Sequence, residues 1–207
     1  MPGLLEALLG EDSETIDKVR TNTGIDRKQA QQAYGAAVGT ILRGLEAKTQ
    51  TEEGAESVWD LIRREVEKGT VPPNAPSPDA PAGQPRSGVQ VRDMDPQTVG
   101  DFMKVIFGKD APKVEGAYGK VITLDPATSR KVFEKVLPAV LGGVFGAAKS
   151  HPDEDTQALP QVVGDARREI EQRQPSAAGI FEAILDRDGD GDVDLEDLAG
   201  IFMNKPR

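Results

Sequence analysis

Near the end of the chain, Asp186-Arg187-Asp188-Gly189-Asp190-Gly191-Asp192-Val193-Asp194-Leu195-Glu196-Asp197 alternates carboxylates with spacers and sets a glycine among them. That pattern suits one chemistry, chelation of a hard divalent cation. Such an ion takes about six to eight oxygens, and a loop of about twelve residues can supply them if its first, third, fifth and twelfth residues are carboxylates. Here those are Asp186, Asp188, Asp190 and Asp197. The seventh residue, Asp192, would contribute its backbone carbonyl, and the ninth, Asp194, its carboxylate directly or through water. Gly191 falls where the chain must turn sharply, which glycine does at little steric cost.

The loop resembles an EF-hand calcium loop. It departs from that pattern at its last position, where Asp197 replaces the longer Glu. In this respect it resembles the dockerin-type loop, and a shorter carboxylate there can favour Mg²⁺ over Ca²⁺. The expected affinity is weak, roughly 10⁻⁵ to 10⁻³ M. Charge supports a bound cation. Residues 177–207 carry eight acids against three bases, half of the chain's net charge of −10. Two like charges ~4 Å apart repel by about 1–4 kcal/mol at effective dielectrics of 80 to 20, so this loop would resist closing without a counter-ion.

Helices must hold the loop. Ile180, Phe181, Ile184 and Leu185 precede it, and Leu198, Ile201 and Phe202 follow at helical spacing. The prediction is a helix-loop-helix over 175–207. With no second loop to pair with, this hand must pack on its own helical body, dimerise, or stay partly open.

The body divides at 69–92, where six prolines cluster with Ala, Ser and Gly as a linker. Before it lies the first unit, 1–68, of which 4–68 reads as helical throughout. Leu4, Leu5, Leu8 and Leu9 start a short helix ending at Gly10, and a second is expected over 13–21. Asp26 caps a third, buried along Ala30, Ala33, Tyr34, Ala37, Val38, Ile41 and Leu45. Gly35 and Gly39 offer sites of close approach. Val58, Trp59, Leu61, Ile62 and Val66 carry a fourth helix. After the linker, 93–174 echoes the first unit. Leu8-Leu9-Gly10 recurs as Ile106-Phe107-Gly108, and Ile25-Asp26 as Leu124-Asp125. Tyr34, Val38, Ile41, Leu42, Gly44 and Leu45 recur as Phe133, Leu137, Val140, Leu141, Gly143 and Val144. Asp125-Pro126 is a cap with proline at the first helical position. Pro138 is expected to kink or interrupt the second long helix. A last helix is expected over 154–172, with Pro160 as a point of division.

The first unit's Thr23-Gly24-Ile25-Asp26 and Leu42-Arg43-Gly44-Leu45 resemble the YidB-like family, bacterial proteins of unknown function. So do the second unit's Phe102-Met103-Lys104-Val105-Ile106-Phe107-Gly108 and the glycine-rich stretch 136–143. The resemblance implies an all-helical fold of tandem repeats, and it brings no activity to carry over.

Other chemistries find little support. No cysteine is present, so disulfides and thiolate metal sites are excluded. The net negative charge argues against nucleic acid as partner, because backbone binding needs clustered Lys and Arg. The start of the chain lacks the basic and apolar regions of a signal peptide, and the longest apolar run, 136–148, is too short to span a bilayer. A cytoplasmic location is expected. His151 reads as a residue of an exposed turn without partners, and the paired acids Glu52-Glu53 and Asp153-Glu154-Asp155 as helix starts. No nucleophile stands with a base, so no enzyme is expected. The expected protein is all-α, non-enzymatic and calcium-binding. Its ion would act as a staple or as a switch toward a protein partner or a second copy. The alternatives are a metal-independent assembly module and a nucleic-acid-binding helical protein.

Overall fold

The computed structural model describes residues 14–71, 94–149, 151 and 155–173. Among them there is no strand. The α-helices are α1 (Glu14–Thr23), α2 (Arg27–Thr49), α3 (Glu52–Glu67), α4 (Pro96–Phe107), α5 (Ala111–Ile122), α6 (Pro126–Lys149) and α7 (Leu159–Arg173). Short 3₁₀ turns, Gly108–Asp110 and Asp155–Gln157, precede α5 and α7.

Side-chain caps start most of these helices. Asp26 accepts from the Gln29 N–H at 2.8 Å, and Thr51 from the Gly54 N–H at 3.1 Å. Glu52 and Glu53 lie in the first turn of α3, where the helix dipole favours them. α4 and α6 open with the same device, Asp-Pro-x-Thr. Asp95 Oδ1 accepts from Gln97 N and Thr98 N, and Oδ2 from the Thr98 hydroxyl at 2.6 Å. Asp125 does likewise with Ala127 N, Thr128 N and the Thr128 hydroxyl at 2.5 Å. The hydroxyl bond first, and the amide bonds with it, hold both carboxyls below their ordinary pKa of 3.8.

Two long helices, α2 and α6, form the axes on which every other helix packs. α2 buries Ala30, Ala33, Tyr34, Ala37, Val38 and Ile41 among others, and α6 buries Val132, Phe133, Val136, Leu137, Val140 and Leu141. Residues from both sides of 72–93 enter one core. Trp59 of α3 stacks on Phe145 of α6 with ring centroids 5.0 Å apart. Glu46 of α2 meets Arg167 of α7 at 2.6 Å. Among the described residues, no helix is long and apolar enough to cross a membrane.

The prolines act differently from the expectation. Pro138 lies inside α6, which runs unbroken from Pro126 to Lys149. Proline has no N–H for the carbonyl four residues back, here that of Glu134. That carbonyl accepts instead from the Met94 N–H at 3.4 Å, so an acceptor α6 cannot use ties down the residue just before α4's cap. Pro160 does not divide a helix either. It is the second residue of α7, where its missing donor costs nothing. α1 runs two residues beyond the expected Thr21, to Thr23.

α1 and α5 end alike. Gly24 has φ +74° and Thr123 φ +60°, both left-handed. Glycine adopts this region freely, whereas a β-branched residue there is strained. Thr123→Gly should therefore stabilise the fold by about 1 kcal/mol. A urea melt would show a higher midpoint with an unchanged slope; an unchanged or lower midpoint would mean that Thr123 bears no strain.

Candidate functional site

The six residues expected to hold a cation, Asp186, Asp188, Asp190, Asp192, Asp194 and Asp197, lie outside the described residues, as do the flanking apolar faces. Among the described residues, no group of three or more His, Cys, Asp or Glu side chains could hold a metal ion.

The body holds buried polar groups that the sequence did not announce. Asp110, in the turn before α5, is buried; its Oδ1 meets Lys113 Nζ at 2.5 Å and its Oδ2 has no hydrogen-bond partner. Ser129 of α6 is fully buried, and its Oγ also lacks a partner. It faces Gly119 of α5, where an added Cβ would stand 2.7 Å from that oxygen and 3.0 Å from the Leu124 carbonyl oxygen. Here the missing side chain lets α5 lie against α6. Glu65 is buried and pairs with the exposed Lys68 at 2.6 Å. These groups sit apart on different elements, and each is accounted for by the end or crossing of a helix. No nucleophile stands against a base among them.

The tyrosines report how tightly the two axes are joined. Tyr118 of α5 is fully buried and donates its hydroxyl proton to the Ala33 carbonyl of α2 at 2.8 Å. Its ring lies 4.8 Å from Phe133 of α6. Burial pushes the phenols of Tyr118 and Tyr34 far above their ordinary value of 10.0, so both stay neutral in the folded protein.

A shallow, open groove of ≈ 390 Å³ lies where the start of α2 meets the end of α5. Asp26, Lys28, Gln29 and Gln32 line it on one side, and Val121, Ile122 and Thr123 on the other. Its polar groups are helix-start side chains facing solvent, and this arrangement does not converge on a reacting centre. His151, expected in an exposed turn, is instead half-buried, and its N–H donates to the Ala148 carbonyl at 3.1 Å. Of Asp153-Glu154-Asp155, the first two residues lie outside the described residues.

No curated protein and no solved structure matches the chain. A family model, described as a bacterial protein of unknown function (DUF937), matches residues 4–146, from Leu4 through most of α6, and stops short of 186–197. The chain belongs to that bacterial family of unknown function.

Proposed function

We propose that this chain is a non-enzymatic calcium-binding protein: a helical body of two related units followed by one cation loop. The Asp186, Asp188, Asp190, Asp194 and Asp197 carboxylates and the Asp192 carbonyl hold the ion. It serves as a structural staple for the end of the chain or as a switch toward a protein partner. The observation that carries this reading is the loop's spacing, with an oxygen donor at each liganding position and glycine at the turn. Charge distribution supports it. Residues 14–71 carry ten acids against nine bases, and 94–149 six acids against eight bases. The body is thus nearly neutral, while 177–207 concentrates eight acids.

The duplication has its own support. With a shift of 99 residues, the N-cap Asp26 falls on Asp125 and the left-handed Gly24 on the left-handed Thr123. The buried Tyr34, Val38, Ile41, Leu42 and Leu45 fall on the buried Phe133, Leu137, Val140, Leu141 and Val144. A second functional reading, a metal-independent interaction or self-assembly module, is favoured by one observation. The family match covers the helical body and ends before the loop.

Calorimetric titration of chelator-stripped protein with Ca²⁺, then Mg²⁺, separates the two. Calcium binding predicts one site per chain with Kd of roughly 10⁻⁵ to 10⁻³ M, lost in the Asp186→Ala, Asp190→Ala double variant. A staple raises the melting temperature, and a switch adds calcium-dependent binding of a hydrophobic dye. No heat and no melting shift at millimolar Ca²⁺ would remove the metal from the function.

A further inference from the structure

α4 is pinned at both ends, and to different helices. Near its C-terminal end, Ile106 and Phe107 close over Gly44 of α2, where an added Cβ would stand 2.5 Å from Cε1 and Cζ of Phe107. Both side chains are fully buried there. At the other end the chain enters α4 through Met94, whose N–H donates to the Glu134 carbonyl of α6 at 3.4 Å. The next residue, Asp95, caps the helix. The 12 residues of α4, ~18 Å at about 1.5 Å per residue, thus run from α6 to α2.

The two anchors are unequal. Releasing the Gly44 seat uncovers an aromatic and a β-branched side chain together. The backbone part of the Met94 anchor is one hydrogen bond, longer than the usual range of about 2.7–3.2 Å and correspondingly weak. That bond exists because of Pro138. In a helix the residue at 138 donates to the carbonyl at 134, and proline has no N–H to give. The matching residues of α2, with a shift of 99, are Gly35 for Glu134 and Gly39 for Pro138. Gly39 lies inside α2 and keeps its N–H, so the matching carbonyl of α2 is served within its own helix. The device belongs to the second long helix alone.

We infer that α4 is a strap across the two long helices with a releasable latch at its start. Pro138 is the positioning residue of that latch: by withholding a donor from the Glu134 carbonyl, it fixes where the chain after 72–93 is fastened to α6. The latch opens locally, with Met94 and Asp95 leaving α6, while Ile106 and Phe107 stay seated on Gly44. This inference is independent of the cation loop.

Amide hydrogen exchange of the full chain, resolved residue by residue by NMR, tests it. In the parent protein the Met94 amide should exchange at least roughly tenfold faster than those of Ile106 and Phe107, because the latch opens without the seat. Met94 exchanging as slowly as Ile106 would overturn the release, and this measurement needs no variant. Pro138→Ala restores the donor inside α6. The amide at 138 should then be protected, and the Met94 rate relative to Ile106 should rise by roughly tenfold more. Pro138→Gly supplies the same donor and should move the ratio the same way. Leu137→Ala is the packing control, since it empties a buried site in the same turn and supplies no donor. Its Met94-to-Ile106 ratio should match the parent's even if both rates rise. An unchanged ratio in the Pro138 variants, or an equal rise in Leu137→Ala, would overturn the role of Pro138.

Discussion

Gly44→Leu should cost at least about 3 kcal/mol, a substantial part of the ~5–15 kcal/mol that holds a typical domain together. The reason is local. The first atom of any side chain at this position would stand 2.5 Å from two ring atoms of Phe107 and would also strike Ile106. Phe107 and Ile106 are themselves buried, so neither can swing into solvent to make room. Relief requires α4 to lift from α2, which uncovers the apolar face α4 was buried to provide. Gly116→Ala is the matched comparison. Gly116 lies mid-helix in α5 with nothing within 4 Å of an added Cβ. There the better helix propensity of alanine should raise stability by up to about 1 kcal/mol. Chemical melts of the two variants should therefore move in opposite directions. A Gly44→Leu protein as stable as the parent would mean that α4 does not rest on α2.

Tyr118→Ala should cost about 4 kcal/mol, in the range of other buried aromatic deletions. Tyr118→Phe should cost about 1 kcal/mol, because it removes only the hydroxyl that reaches the Ala33 carbonyl. The split between the two variants separates packing from the hydrogen bond. Alkaline titration adds a second readout. Both tyrosines of the chain are buried, and burial raises both pKa values above 10.0. Their contribution to stability is therefore fully present below pH 10 and is lost as pH rises beyond it. Tyrosine absorbance near 295 nm should consequently appear only in step with loss of helical circular dichroism. Tyrosine ionisation in a still-helical protein would show that solvent reaches these phenols.

The helices were legible because local chemistry dictates them. Asp26 and Asp125 announced their caps, and the apolar rhythm from Ala30 to Leu45 announced the buried face of α2. What stayed hidden depends on contacts distant in the chain. Pro138 reads as a break because its own helix loses a bond, and nothing nearby in sequence says that Met94 will take up the Glu134 carbonyl. Pro160 reads as a division until the start of α7 is located one residue before it. Asp110 and Ser129 are polar residues in a polar context, and their burial follows from how α5 lies on its neighbours. His151 lies between a long helix and a short turn, so its half-burial depends on packing. The reading of 186–197 as a cation loop rests on local spacing alone, since its carboxylates are close together in the chain, and it falls outside the described residues.

Val71 and Met94, the residues on either side of 72–93, are both buried. The chain thus leaves the core and re-enters it at fixed points, and residues 72–93 join the two covalently. A covalent join turns the meeting of two halves from a bimolecular event into an intramolecular one. Because α2 and α6 each receive helices from both sides of 72–93, the halves do not have separate stabilities to be added. A change in one half is felt as a weaker affinity for the other, and substitutions on either side of 72–93 should show coupled rather than independent energies.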